Sequence, residues 1–203
     1  MIQLTEKQKE IIDSSARVKL VMGGARSGKT IMALLNMFET MNNADTSDTI
    51  SLFLIKNEIF ARVTVRKIKR LIKDYILNIK VRDKFTLIET TYGDIYVSTE
   101  YIDGPYRIIT VDNATSNKYV KYVLENQASK IALFGHCPED GGNTFFKAWL
   151  NVCINDIPDT KAFKLQTWDN PTMKDERQKW ESDLIPIIGQ QNYERQYLCK
   201  INL

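Results

Sequence analysis

The apolar and polar residues of the chain form two kinds of pattern, which alternate along the sequence. Short apolar runs that end at turn residues predict buried strands, whereas apolar residues spaced three and four apart predict helices. The predicted strands are Val18–Met22, Ile50–Ile55, Phe85–Glu89, Ile95–Ser98, Arg107–Val111, Lys130–Phe134 and Phe163–Thr167. The predicted helices are Glu6–Ser14, Lys29–Met41, Phe60–Ile76, Lys118–Glu125, Met173–Leu184 and Asn192–Leu198. Strands that alternate with helices indicate an α/β fold, with a mostly parallel sheet flanked by helices.

Composition narrows the class of protein without identifying it. With 203 residues, 43% hydrophobic and 26% charged, the chain has the size and balance of one folded domain. Its net charge of +3 is too small to hold nucleic acid by bulk charge, although a local basic face is compatible with it. The sequence lacks both the run of about 18 apolar residues that a membrane span needs and the apolar core of a secretory signal. Cys137, Cys153 and Cys199, with a single His136, offer no zinc spacing and are expected to be reduced thiols in a cytosol.

The strongest local signal is a glycine-rich octapeptide between the first predicted strand and the second predicted helix. It reads Gly23-Gly24-Ala25-Arg26-Ser27-Gly28-Lys29-Thr30 and matches the pattern G-x-x-x-x-G-K-[ST]. Such a turn points successive backbone N–H groups at phosphate oxygens, and the following helix adds the positive end of its dipole. In this pattern Lys29 reaches the β- and γ-phosphates, and the Thr30 hydroxyl binds magnesium. The octapeptide therefore predicts nucleotide binding, with ATP and Mg²⁺ as the expected ligands.

A second magnesium ligand is expected at the end of another buried strand. The run Arg107–Val111 is mostly apolar and is followed by Asp112, which we interpret as that carboxylate. Many ATPases of this kind carry a glutamate at the next position, where it polarises the attacking water. Here the residue is Asn113, whose amide can position a water but cannot accept its proton. Nucleotide binding is therefore better supported than hydrolysis.

Taken in order along the chain, these motifs and several weaker segments resemble the ATPase domain of the phage large terminase subunit, a DNA-packaging motor. The weaker segments are Leu4-Thr5-Glu6-Lys7-Gln8, Gly104, Phe134-Gly135-His136-Cys137-Pro138, Asn143-Thr144-Phe145-Phe146-Lys147-Ala148-Trp149, Thr167-Trp168-Asp169-Asn170-Pro171 and Tyr193-Glu194-Arg195-Gln196-Tyr197-Leu198. Two positions depart from the family pattern. Asn113 replaces its catalytic glutamate, and His136-Cys137 replaces part of a coupling motif that usually reads G-N-P.

The resemblance implies a RecA-like P-loop fold with an additional strand, formed by residues 1–203 as a single ATPase domain without a nuclease domain. It implies that Gln8 contacts the adenine and that Arg26 and Arg62 are candidates for the arginine that stabilises charge at the nucleotide. The partners that it implies are double-stranded DNA, further copies of the chain in a ring on a capsid portal, a small terminase subunit and a separate nuclease. The implied location is the cytoplasm of a bacterial host.

Three interpretations remain open from the sequence alone. The chain is an ATP-hydrolysing packaging motor with slow intrinsic turnover, or a nucleotide-binding regulatory or structural subunit that hydrolyses little because of Asn113. A nucleotide kinase also uses a P-loop, but we find no basic lid or acceptor-base pocket in the sequence.

One further surface has two interpretations. The helix Phe60–Ile76 places several basic residues on one face, either as a contact for DNA or a neighbouring subunit or as a solvated face. These residues are Arg62, Arg66, Lys69, Arg70 and Lys73.

Overall fold

The structure of the chain is a computed structural model that describes residues 3–44, 49–138 and 143–200. Its strands are β1 Val18–Gly23, β2 Ile50–Leu54, β3 Ile76–Val81, β4 Phe85–Thr90, β5 Gly93–Ser98, β6 Ile108–Asp112, β7 Lys130–Gly135 and β8 Thr160–Leu165. Its helices are α1 Glu6–Asp13, α2 Lys29–Asn42, α3 Glu58–Leu71, α4 Val120–Leu124, α5 Thr144–Ile154, α6 Arg177–Ile188 and α7 Gln190–Leu198. None of the helices in the described ranges is both long enough and apolar enough to cross a membrane.

All eight strands form one sheet in the order β3-β4-β5-β2-β6-β7-β1-β8. The strands from β5 to β8 in this order pair in parallel, whereas β4 is antiparallel to both β5 and β3. Strand β7 lies between β1, which leads into the glycine-rich octapeptide, and β6, which ends at Asp112. This inserted strand is the additional strand that the predicted fold class requires.

Successive residues of the central strands pack on opposite faces of the sheet because side chains alternate along a strand. On one face, Leu20 and Met22 pack in a buried cluster with residues of α4 and α5, among them Val123 and Phe145. On the other face, Val21 lies in a second buried cluster with residues of α1, α2 and α3. The two layers hold the carboxyl ends of the parallel strands at one edge, where ligands bind in such folds.

The apolar runs located the central strands, but the predicted bounds of the helix Phe60–Ile76 and of the strand Phe163–Thr167 were wrong, and two elements were not predicted. The helix predicted as Phe60–Ile76 is α3, which begins earlier because Asn57 caps it by accepting a hydrogen bond from the Phe60 N–H, 3.1 Å away. That helix ends at Leu71, and Ile76 begins the edge strand β3, which the apolar pattern did not predict. Helix α5 was not predicted either.

The predicted strand Phe163–Thr167 is shifted. Strand β8 begins at Thr160 and ends at Leu165, and Thr167 lies in a short 3₁₀ turn that runs to Asp169. The predicted hairpin is confirmed, since β4 and β5 pair around Thr91 and Tyr92. Gly93 has a φ of 124°, and a side chain there would collide with the Thr49 carbonyl.

Candidate nucleotide-binding site

The glycine-rich octapeptide forms the turn between β1 and α2, at the carboxyl edge of the sheet. Gly28 lies directly before α2 with φ 85° and ψ 13°, a left-handed conformation that favours glycine. Gly28 has no side chain to cap the start of α2, so the first N–H groups of this helix keep their capacity to bind an anion. The predicted phosphate loop thus has the backbone shape that its sequence pattern implies.

The two predicted magnesium ligands are in direct contact. The Thr30 hydroxyl donates a hydrogen bond to Oδ2 of Asp112, 2.6 Å away, although the residues are 82 positions apart in the sequence. Strand β7 separates their elements, and the parallel register brings the end of β6 beside the start of α2. A hydroxyl and a carboxylate at this separation form a donor set that suits Mg²⁺.

Lys29 turns back onto the loop that carries it. Its Nζ donates to the carbonyl oxygens of Gly23, at 2.9 Å, and Gly24, at 2.7 Å. Burial lowers the pKa of Lys29, and the carboxylate of Asp112 opposes that shift. Anionic phosphates beside Lys29 would favour its charged form, so the environment of this side chain fits a nucleotide phosphate group.

Asp112 is a buried carboxylate close to Lys29, and its charged form is disfavoured by burial as well. Its side chain is buried, and burial raises its pKa, while bonds from the Thr30 hydroxyl and the Asn113 N–H and the charges of Lys29 and Lys67 lower it. The hydroxyl of Ser27, inside the loop, is buried and has no hydrogen-bond partner among the described residues. A cation beside Asp112 would stabilise its carboxylate, so the residues present fit a magnesium–nucleotide complex.

Asn113 directly follows Asp112, the predicted magnesium ligand. Its backbone is left-handed, with φ 58° and ψ 42°, and its N–H donates to Oδ1 of Asp112 at 3.0 Å. Its side chain is partly exposed. The residue is therefore adjacent to the site, as predicted, but offers an amide instead of a carboxylate.

Gln8 lies close to the loop from the side of α1. The side-chain amide nitrogen is 3.5 Å from the position that a side chain on Gly28 would occupy. Its Oε1 accepts a bond from the Thr5 N–H at 3.1 Å, which completes the capping box at the start of α1. The structure thus brings Gln8 to the loop, and its contact with adenine remains a prediction.

Residues of α7 and of the turn after β8 contact the first half of the loop that precedes α2, from Gly24 to Arg26. The Ala25 N–H donates to the Gln196 carbonyl at 2.7 Å, and a side chain on Gly24 would collide with the Tyr197 carbonyl. From the turn after β8, Thr167 donates to the Ala25 carbonyl and Asn170 donates to the Arg26 carbonyl. These contacts join two separate segments to the loop, and no local pattern in the sequence predicted them.

The two candidate arginines occupy different places. The Arg26 guanidinium lies over the ring of Trp180 in α6, 4.4 Å from its centroid. Arg62 is exposed on the first turns of α3, where it faces Glu58 at 3.8 Å. Strands β6 and β7 lie between β2, which leads into α3, and β1. The structure brings Arg26 to the loop and does not bring Arg62 there within one chain.

Arg62 instead lines a cleft of about 580 Å³ between α3 and the turn from β3 to β4, which we call the basic cleft. Its basic residues are Arg62, Arg66, Lys69, Arg82 and Lys84, and its acidic residues are Glu58 and Asp83. The predicted basic face is thus present for three of its five members. Lys73 lies in the 3₁₀ turn after α3, and Arg70 does not line the cleft.

The segment after β7, which resembles the coupling motif, is tied to the segment after β6. Thr115, two residues beyond Asn113, donates its hydroxyl proton to the His136 carbonyl at 2.7 Å and accepts a bond from the His136 N–H at 2.8 Å. A side chain on Gly135 would meet Thr115 and the Phe145 ring. Thr115 therefore links the segment after β6 to the segment after β7.

No family profile matches the chain, and no curated protein is similar to it. Solved structures are similar to it. The large terminase ATPase domain of Thermus phage P74-26 covers 98% of this chain and 94% of its own length, at a TM-score of 0.71 and 16% identity. The chain has the fold of the phage large terminase ATPase domain. The RecA-like class with an additional strand, predicted from the resemblance, is thereby confirmed.

Other terminases share this ATPase fold as part of longer chains. The large terminase of thermophilic bacteriophage D6E covers 97% of this chain at a TM-score of 0.74 and 16% identity, and the HK97 bacteriophage large terminase covers 97% at 0.66 and 9%. This chain spans about half of each, 52% and 50%. The D6E protein has been solved with ATP-gamma-S and with ADP.

Proposed function

We propose that this chain binds ATP and Mg²⁺ and hydrolyses ATP as the motor domain of a viral machine that packages double-stranded DNA. The observation that carries the proposal is the 2.6 Å contact between Thr30 and Asp112 at the end of a phosphate loop. The terminase ATPase fold around that contact supports the same function. The nucleotide-bound structures of the D6E terminase support ATP as the ligand.

Each part of the site has a distinct task in this proposal. The N–H groups at the start of α2 bind phosphate oxygens, and Lys29 leaves the loop carbonyls to neutralise the terminal phosphates. Thr30 and Asp112 hold Mg²⁺, which supplies positive charge against the charge that develops on the transferred phosphoryl group. Gln8 contacts the adenine.

Asn113 decides how fast the site turns over. Its amide orients the attacking water by hydrogen bonding, but it cannot receive the proton as a carboxylate would. We therefore expect slow intrinsic hydrolysis. The second candidate function, a regulatory or structural subunit that binds nucleotide and hydrolyses little, is favoured by the same residue.

Double-stranded DNA is the proposed polymer on which the motor acts. The basic cleft has five cationic and two anionic side chains, and its excess of positive charge suits a phosphate backbone. The proposed assembly is a ring of copies on a capsid portal with a small terminase subunit, and its proposed location is the host cytoplasm.

The test of nucleotide binding is titration calorimetry of the Lys29→Ala variant with ATP and Mg²⁺. Removal of a charge-assisted hydrogen bond to the phosphates is expected to weaken binding by more than about tenfold. Lys147→Ala removes an exposed lysine from α5 and provides the control, with unchanged affinity. Unweakened binding by a folded Lys29→Ala protein would refute the phosphate-loop assignment.

The test of DNA binding is a charge reversal in the basic cleft. The double variant Arg66→Glu, Lys69→Glu is expected to bind duplex DNA more weakly and to show a smaller salt dependence, because each phosphate that is no longer neutralised lowers the slope by about 0.9. The control Lys147→Glu, Lys179→Glu changes the net charge equally at exposed positions outside the cleft. Equal weakening in both variants would mean that the cleft has no special role.

A further inference from the structure

The side chain of Arg26 is held by an aromatic ring outside the phosphate loop. Arg26 is exposed, its backbone is left-handed with φ 56°, and its guanidinium carbon lies 4.4 Å from the centroid of the Trp180 ring. Cations at such distances over an indole are attracted by its π-electrons. In this arrangement the guanidinium contacts Trp180 in α6.

Trp180 is itself held in place within α6 and α7, which we call the C-terminal module. Its indole N–H donates to Oε2 of Glu176, 2.8 Å away, and its ring meets the Tyr197 ring edge-on with centroids 6.3 Å apart. Tyr197 stacks on Tyr193, whose side chain is buried. The ring beneath Arg26 is thus held by a hydrogen bond and by a ring contact.

The same module contacts the loop through its backbone. Gln196 accepts the Ala25 N–H, and the Tyr197 carbonyl lies against Gly24. Gly24, Ala25 and Arg26 are therefore joined to the module twice, by the α7 backbone and by the Arg26–Trp180 contact. A change at Arg26 would break one of these two links while the other remained.

Phosphate is a stronger partner for a guanidinium than an indole ring, because it offers charge and two hydrogen-bond acceptors. We propose that Trp180 is a positioning residue that holds Arg26 away from the phosphates until nucleotide binds. Release of Arg26 from the ring then reports the state of the loop to the C-terminal module. This inference rests on the proposed function, since it requires a nucleotide on the loop.

Tryptophan fluorescence of the whole chain tests the release. The reference protein carries Trp168→Phe, because Trp168 belongs to the buried cluster on which Trp180 packs, whereas Trp149 is buried in α5 in another cluster. Titration with ATP-γ-S and Mg²⁺ is expected to change the emission of this reference protein, and the further substitution Trp180→Phe is expected to abolish the change. Arg26→Ala in the reference protein is expected to show, without nucleotide, the emission that the reference protein reaches with it. An emission change that persists after Trp180→Phe would overturn the inference, as would an Arg26→Ala spectrum identical to that of the reference protein without nucleotide.

Affinity gives an independent measurement. Trp180→Leu keeps an apolar side chain without a π-face, and it is expected to bind ATP-γ-S about two- to fivefold more tightly because the competing contact is worth about that factor. In an Arg26→Ala background the same substitution is expected to have no effect. Tyr119→Leu removes a similar contact, with Lys118 at 5.0 Å, outside the loop and serves as the control.

The outcomes separate this inference from the function on which it rests. Unchanged or weaker binding by a folded Trp180→Leu protein would overturn the competition between ring and phosphate while leaving the nucleotide site intact. Failure of the unmodified protein to bind ATP-γ-S in calorimetry would instead refute the proposed function. If Trp180→Leu does not fold, the spectra of Trp180→Phe and Arg26→Ala still decide the question.

Discussion

At the scale of single residues, the site combines the predicted phosphate and magnesium ligands with an amide where a base is expected. Asn113 has φ 58°, a backbone conformation that asparagine tolerates better than most residues with a side chain. Its N–H donates to the Asp112 carboxylate, so the backbone of this position supports the proposed magnesium ligand whatever side chain it carries. The side chain can therefore be exchanged as a test of catalysis.

We expect Asn113→Glu to accelerate steady-state ATP hydrolysis at least about tenfold, because it supplies a general base, an effect commonly of about 10²–10⁴-fold. The gain is expected at the lower end, since phosphoryl transfer depends chiefly on metal and arginine charge. Phosphate release is measured with saturating ATP and Mg²⁺. Asn113→Gln is the matched control, with the same side-chain length as glutamate and the same backbone strain but no base.

Rapid hydrolysis by the unmodified protein, unchanged or slowed in Asn113→Glu, would contradict this expectation. It would mean that another carboxylate accepts the proton. Glu100, exposed just beyond the end of β5, is the next candidate at this edge of the sheet.

Single residues also show what can and cannot be predicted from the sequence. Lys29, Thr30 and Asp112 were predictable because each occupies a position fixed by a local rule, a motif spacing or the end of an apolar run. The contacts of Trp180 and Gln196 with the loop were not, because they join positions more than 150 residues apart and follow no spacing rule. An aromatic residue such as Trp180 is also as typical of a buried core as of a contact with the loop, so its residue type did not indicate this contact.

At the scale of elements, one buried lysine fastens α1 to the sheet and to α2. Lys19 lies in β1, and its Nζ donates to the carbonyls of Ile11 at 2.8 Å and Ile12 at 3.0 Å and to Oδ1 of Asn36 at 2.7 Å. It thereby satisfies carbonyls in the last turn of α1, which has no basic residue of its own there. Since α1 carries Gln8, this lysine helps to fix the predicted adenine contact.

Replacing this lysine is expected to destabilise the chain in a pH-dependent way. Lys19→Met leaves buried acceptors without a donor and is expected to lower the free energy of unfolding at neutral pH by about 1–3 kcal/mol. Burial lowers the pKa of Lys19 from 10.5 to about 8. The unfolded chain therefore binds more protons between these pH values, and the stability that Lys19 confers rises with pH across that window.

Denaturant unfolding at pH 7.5 and pH 10 measures this effect. The gap in unfolding free energy between the unmodified protein and Lys19→Met is expected to widen with pH by up to about 3 kcal/mol, at about 1.4 kcal/mol per pKa unit. Lys147→Met, at an exposed position, gives the control. A gap that stays constant or narrows over this range would show that Lys19 is not held with a lowered pKa.

The two elements that the sequence did not predict are explained by their surroundings. Strand β3 is an edge strand whose residues Leu77 and Val81 are exposed, so its apolar pattern lacks the regular alternation of a strand packed on one face. Helix α5 buries Phe145, Phe146 and Trp149, and its start depends on the Asn143 cap, which accepts the Phe146 N–H at 3.2 Å. Aromatic residues at this spacing were visible in the sequence, but we interpreted the segment only through its resemblance to terminases.

At the scale of the whole molecule, one of the two candidate arginines lies in the phosphate loop of its own chain and the other does not. Arg26 is engaged by Trp180, and Arg62 follows β2, which is three strand spacings from β1, or about 14 Å. P-loop nucleotide sites gain a large part of their rate from an arginine that is supplied by the same chain or by a neighbouring protein. The proposed ring of copies would provide one.

We therefore expect specific ATPase activity to rise with protein concentration, because dilution separates the neighbours that complete each site. Phosphate release is measured across a dilution series while light scattering reports the assembly state.

A mixture of two variants that are expected to be inactive alone then tests whether Arg62 is the arginine that completes the neighbouring site. Lys29→Ala is expected to bind nucleotide too weakly for turnover but retains Arg62, whereas Arg62→Ala keeps the nucleotide site but lacks the arginine. The mixture is therefore expected to be more active than either variant alone. Specific activity that is constant down to clear monomer would contradict a shared site, and a concentration-dependent activity without complementation would assign the arginine to another residue.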